Sequence, residues 1–172
     1  MTSNAGRPVV VVYSNLMSTG GYVLTMPMGC MGDHPEFRPF YSPKTMLEMG
    51  VFEGKYLNSC QEEYPADWFK CAKLSATPNP AINFFGVKSR LSTSWWKERK
   101  LIDPQDPRGW FEWYCRFFSG RRTEDDVRQI TRHRQFARHS AQVRLWGKQA
   151  VEVRAKQRQA LLQWSWDPKP DF

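Results

Sequence analysis

Residues 103–122, DPQDPRGWFEWYCRFFSGRR, constrain the fold more than any other stretch of the chain. Trp110, Trp113, Tyr114 and Phe117 recur at i, i+3, i+4 and i+7, while Phe111, Cys115 and Phe118 occupy a second face. A helix that is apolar nearly all round has to be buried, so this segment is expected to be the central core helix. Asp106 followed by Pro107 is a helix-start signal: a capping side chain, then a ring whose φ is already helical. Gly120 is the matching stop, because glycine enters a left-handed C-terminal cap without strain. The aromatic residues are read as core packing, not as a cage for a ligand.

The other elements are expected to arrange themselves around that helix. Ser42-Pro43 opens a helix over SPKTMLEMGVF with Met46, Leu47 and Val51 inward. Ala66 to Leu74 reads as a further short helix, and Ser92 caps another over STSWWKERKLI. Thr123, with Asp126 three residues on, is close to a capping box and starts a long helix expected to run to about Trp146. Its inward stripe would be Val127, Ile130, Ala137 and Ala141, with Arg134 falling inside that stripe. Gly147 interrupts, and a last helix from Gln149 to about Trp164 places Val151, Ala155, Leu162 and the Arg158 stem inward. Residues 1–40 differ: Val9 to Tyr13 and Tyr22 to Met26 are short strand candidates joined through Ser18, Gly20 and Gly21. They predict a hairpin-like or extended arm, since two strands alone are weakly stable. The expected fold is therefore mainly α: a compact helical domain over residues 41–172 around an aromatic central helix, with an N-terminal arm over residues 1–40. Hydrophobic residues at 41% and aromatic residues at 15% exclude simple disorder and support a sizeable core.

Charge points to a class of partner. The formal net charge is +8 and the pI about 9.5, which favours an anionic ligand. Arg121 and Arg122 leave the aromatic helix, and Arg128 and Arg132 share one side of the next helix with Asp125 and His139. Each guanidinium is a planar fork suited to phosphate oxygens. The expectation is a nucleic-acid-binding protein, DNA before RNA, with Arg121, Arg122, Arg128 and Arg132 on phosphates. Against it stands a plain solvated face in which Asp125 and Asp126 pair locally. Arg134, on an inner face, would need a carboxylate or a ligand anion.

Two further stretches supply candidates. FFGVKSR with LSTSWWKERKLIDP resembles the turn and second helix of helix-turn-helix proteins of the excisionase type. That resemblance implies Lys88, Arg90 and Lys97 near phosphates or base edges, although Pro78 and Pro80 stand where the first helix belongs. GVFEGK is one residue short of a phosphate-binding loop, has Tyr56 in the metal-binding position and follows a helix, so capping glycines account for it better. Lys55 and Tyr56 remain candidates for lining a pocket. An enzyme acting on a nucleic-acid or phosphorylated substrate is the alternative, with the arginines as clamp and Asp126, Lys55 or Tyr56 as acid–base groups. A third reading is a structural partner, as in a ribonucleoprotein, whose N-terminal valine arm adds to a neighbour's sheet edge.

Cys30, Cys60, Cys71 and Cys115 form no C-x-x-C pair, and His133 and His139 are six apart, wrong for two ligands on one helix face. No metal and no cofactor are expected, and the thiols are read as reduced in an intracellular protein whose compartment is not resolved. No apolar run approaches the ~20 residues that span a bilayer, and MTSNAGRPVVVVYS lacks the basic start of a secretory signal.

MLEMGVFEGKYLNSC, FFGVKS, WWKERKLIDPQDPRGWFEWYCRFFSGRR, DDVRQITRHRQF and KQRQALLQW, taken in order, resemble an uncharacterised family of small basic proteins from microbial, algal and fungal genomes. The resemblance spans about residues 46–166 and implies a shared globular domain with residues 1–40 as an added arm. It implies no mechanism. It places Lys55, Tyr56, Arg121, Arg122, Asp126, Arg128 and Gln129 in the family's motifs, where a site is to be sought first.

Overall fold

The structure is a computed structural model and describes residues 10–14, 20–146 and 153–169. Along the chain come strands β1 (Val10–Tyr13) and β2 (Gly21–Leu24), then helices α1 (Pro43–Met49), α2 (Thr93–Glu98), α3 (Trp110–Ser119), α4 (Asp126–Gln135), α5 (Ala137–Trp146) and α6 (Ala155–Gln163). Val9, Ser18, Gly147, Gln149 and Val151 lie outside the described residues. The fold is a mainly helical domain with an aromatic cluster around α3 and an N-terminal hairpin.

Helix α3 is buried on all sides from Trp110 to Phe117. Its indoles tie the next helix to it: Trp113 Nε1 donates to Asp126 Oδ1 at 2.9 Å, and Trp110 Nε1 to the Gln129 carbonyl at 3.2 Å. The helix starts later than expected, at Trp110 behind Gly109, and Asp106 is not its cap. The Asp106 carboxylate turns inward instead, meeting Arg116 at 3.0 Å and Arg121 at 2.6 Å. Buried guanidinium groups compete for a carboxylate more strongly than helix amides do.

Gly120 ends α3 in the left-handed region at φ 115°, its N–H reaching the Arg116 and Phe117 carbonyls. It is also a docking point. A Cβ here would collide with the Met26 carbonyl, and the Gly120 oxygen accepts the Thr25 and Met26 N–H groups at 2.9 and 3.0 Å. The arm is thus a hairpin, paired antiparallel with Val11 opposite Val23 and Val12 opposite Tyr22, stitched to the end of the core helix. Tyr22 is buried beneath it, its ring 4.8 Å from the Arg116 guanidinium. Phe37, also from the stretch assigned to the arm, sits in the middle of the core, edge-on to Tyr114 and Phe117 at 5.6 and 5.4 Å.

Helix α1 forms as expected, with Ser42 capping Thr45 N–H, Pro43 at its first turn, and Met46 and Leu47 buried. The helix expected over 66–74 is only a 3-10 turn, Ala66–Trp68. The long helix expected after Thr123 breaks at Phe136, which stacks on Trp164 at 4.5 Å. The buried stripe differs from the expected one: Ile130, His133, Ser140 and Val143 face inward while Val127, Ala137, Ala141 and Arg134 are exposed. The arginines that go inside are Arg116, Arg121 and Arg158. The helix-turn-helix expectation fails for the reason its prolines announced. A 3-10 turn (Pro80–Ile82) stands where the first helix would be, and α2 is six residues long with no buried side chain.

Candidate functional site

The aromatic core opens at one side into a cleft of about 530 Å³, within the ~300–1,000 Å³ range of small-molecule sites. Six separate stretches meet there, one of them the loop at Pro78. The turn after α1 brings Phe52, Lys55 and Tyr56; residues 89–102 bring Arg90, Trp96 and three aliphatic side chains, Leu91, Leu101 and Ile102. The start of α3 brings Arg108, Trp110 and Phe111, the α4–α5 break brings Arg132 and Phe136, and α6 brings Gln163 and Trp164. The rings are mutually braced: Phe52 lies 5.1 Å from Phe111 and Trp110 4.8 Å from Trp164.

Local strain shapes one wall. Phe52 and Glu53 are consecutive non-glycine residues at φ 53° and 61°, a conformation costing of order 1–3 kcal/mol each. Glu53 is held there by its N–H donating to Asn83 Oδ1 at 2.8 Å, and by Arg90, whose Nε and Nη2 reach Glu53 Oε2 at 3.0 and 2.8 Å. The strained turn projects Lys55 and Tyr56 onto the cleft. The Tyr56 hydroxyl donates to the Arg108 carbonyl, and burial, with Glu112 nearby, pushes its pKa well above the usual value. It is a neutral donor already in use, not an acid–base group.

The cleft's cations divide into two kinds. Arg90 is paired with Glu53, and Arg108 with Glu112 at 2.7 Å, so each is neutralised from within the protein. Lys55 and Arg132 have no carboxylate at salt-bridge distance among the described residues. Lys55 is exposed. Arg132 is half-buried, hydrogen-bonded to the neutral Leu101 carbonyl and Gln129 Oε1 at 3.0 and 2.9 Å, with its guanidinium 5.2 Å from the Trp164 ring. Burial, with the charge of Arg128 added and only partly offset by Asp125, pushes its pKa below the ordinary arginine value.

Of the residues singled out from sequence, the structure brings Lys55, Tyr56, Arg90 and Arg132 to this cleft. The others lie elsewhere. Arg121 is 2% exposed and bonded to Asp106, so it is an interior arginine and not part of an exposed face. Arg122 forks onto Asp33 and lies 3.8 Å over the Phe117 ring, and Arg128 pairs with Asp125. The side of α4 expected to be free for phosphate is thus largely engaged internally. Asp126 is buried, accepting from Trp113, from Thr123 N–H and from the Thr123 hydroxyl, which removes it as an acid–base candidate. Lys88 and Lys97 are exposed and do not line the cleft.

Arg108, Trp96, Gln163 and Trp164 escaped the sequence reading. Arg108 left one trace, the i, i+4 spacing to Glu112; the rest carry no local signal. Among the described residues no cluster of His, Cys, Asp and Glu is arranged to hold a metal ion, and none of their helices is long and apolar enough to cross a membrane. Fold and cleft together define a mainly helical protein whose aromatic core opens into a cation-rimmed cleft. No protein-family model matches the chain, and no curated protein or solved structure matches it.

Proposed function

We propose that this protein binds single-stranded nucleic acid across the aromatic cleft, with Lys55 and Arg132 on the phosphates. The reading keeps only Arg132 of the arginine face suggested by the helical wheel, because Arg121, Arg122 and Arg128 are paired with carboxylates of the fold. Arg132 carries it: a half-buried guanidinium, facing an aromatic cavity, hydrogen-bonded only to neutral oxygens among the described residues. A desolvated charge without a directly paired counter-charge is costly, and a bound phosphate supplies such a partner. Stacking rings beside a cationic rim are the two components that single strands require and that a closed duplex cannot use. The net charge of +8 favours any polyanion in addition.

The test is binding of labelled single-stranded DNA, single-stranded RNA and duplex DNA across a salt series, with wild type and Lys55→Ala/Arg132→Gln. Single strands are expected to bind in preference to duplex. The double variant is expected to weaken them and to shallow the plot of log K against log salt by about 1.4, two phosphates at roughly 0.7 each. An unchanged slope removes the cleft from nucleic-acid binding, and equal affinity for duplex removes the single-strand reading.

A further inference from the structure

The cleft holds one polar group that no internal partner explains. Gln163, near the end of α6, lines the cavity, is 7% exposed, and its amide nitrogen is buried without a hydrogen-bond partner among the described residues. The contrast with the same helix one turn earlier is informative. Gln159 is fully buried, but its oxygen accepts the Phe85 N–H at 3.1 Å and its nitrogen donates to the Gly50 carbonyl at 3.2 Å. Gln159 is a structural clamp between α6 and the turn after α1. Gln163 has no such duty, and an unsatisfied buried donor is destabilising unless something else fills the position.

Its neighbours indicate what would fill it. Trp164 follows it in sequence, packs 4.8 Å from Trp110, and lies under the Arg132 guanidinium. Trp96 and Phe136 stand on other walls. Trp110 gives its indole N–H to the Gln129 carbonyl and packs its ring against Tyr114, His133 and Trp164, so it serves as wall, and the half-buried Phe52, Trp96 and Phe136 are the rings with surface to offer. A flat ring entering the cleft would therefore meet π surfaces, the Gln163 side chain and, at the rim, two cations without carboxylates at salt-bridge distance among the described residues. A carboxamide presents a donor and an acceptor side by side, the pattern that pairs with the edge of a nucleobase.

We infer that the cleft takes a single unpaired nucleotide, its base inserted among the rings and read by the Gln163 amide, its phosphate held by Lys55 and Arg132. The inference rests on the cleft being the nucleic-acid site and adds two claims: a base enters it, and Gln163 selects among bases. Gln163 is on this account a specificity-determining residue. The nucleotide can come from a strand or be free, and the experiment separates these sources.

Wild type and Gln163→Leu are titrated with short homopolymer strands, with a strand of abasic sugar-phosphate, and with the nucleoside monophosphates, following anisotropy or tryptophan fluorescence. Base-bearing strands are expected to bind about tenfold or more tighter than the abasic strand. Wild type is expected to rank the bases, and Gln163→Leu to remove about tenfold of that discrimination while leaving abasic binding unchanged. Equal binding of abasic and base-bearing strands, or an unchanged ranking in Gln163→Leu, overturns the inference and leaves nucleic-acid binding standing. Binding of monophosphates without binding of strands retains the nucleotide site and overturns the strand reading. Binding of neither removes both. Should Gln163→Leu fail to fold, the Gln163 side-chain amide resonances of wild type decide the matter, since nucleotide that leaves them unshifted also overturns the assignment.

Discussion

Acid should destabilise this protein through one histidine. His133 is 2% exposed, with its ring stacked between Trp110 at 5.7 Å and Trp166 at 5.1 Å and the edge of Phe37 at 5.0 Å. Neither ring nitrogen has a hydrogen-bond partner among the described residues, and burial lowers the pKa from 6.5 to about 4. Above pH 7 the residue is neutral whether the chain is folded or not, and its titration contributes nothing. Between about 6.5 and 4 the unfolded chain binds a proton that the folded chain refuses, so stability falls as pH falls through that window. The loss is complete below the folded value. A shift of this size corresponds to about 3 kcal/mol at 1.36 kcal/mol per unit. Urea unfolding of wild type and His133→Phe at pH 7.5, 6, 5 and 4.5 isolates the effect, because carboxylate protonation is common to both proteins and cancels in the difference. The phenylalanine keeps the stack and removes the titration. The variant should gain on wild type progressively as pH drops, by roughly 2 kcal/mol at pH 5. Parallel curves across the series would show that His133 is protonated without penalty, and that the aromatic sandwich is not dry.

Two stability predictions follow from the core helix. Trp113→Ala removes a fully buried indole and strips Asp126 of a donor, and is expected to cost about 3–5 kcal/mol in chemical denaturation; a loss under about 1 kcal/mol would mean α3 is not the centre of the core. Gly120→Ala puts a side chain at φ 115° against the Met26 carbonyl. It is expected to cost more than about 1 kcal/mol and to raise hydrogen exchange at Thr25 and Met26, and unchanged exchange there would show that the hairpin is anchored elsewhere.

What was legible in the sequence is what is decided locally. The spacing of Trp110, Trp113, Tyr114 and Phe117, the caps at Ser42 and Ser92 and the stop at Gly120 are set by residues within a turn or two of one another, and each reappears in the structure. The same locality explains the errors. Asp106 looked like a cap because a cap needs only neighbours; its actual partners, Arg116 and Arg121, are 10 and 15 residues away. At the break Phe136 stacks on Trp164, and no helical wheel drawn over residues 123–146 contains that ring. Lys55, Tyr56, Arg90 and Arg132 were each visible as candidates, but their meeting in one cleft depends on packing between segments far apart in the chain.

Charge shows the same division at the scale of the whole molecule. Counting residues along the chain makes every arginine an equal candidate for phosphate. Folding sorts them by whether a carboxylate is brought to the same place. Glu112 does this twice, lying 2.7 Å from Arg108 at the cleft and 3.2 Å from Arg116 in the interior, while Glu63 and Asp106 complete the ring around Arg116. Breaking such a pair leaves an uncompensated buried charge, which is more damaging than losing both members. Those arginines are consequently bound to the fold and unavailable to a ligand. Among the cations that line the cleft, Lys55 and Arg132 are the ones this sorting leaves without a carboxylate at salt-bridge distance among the described residues.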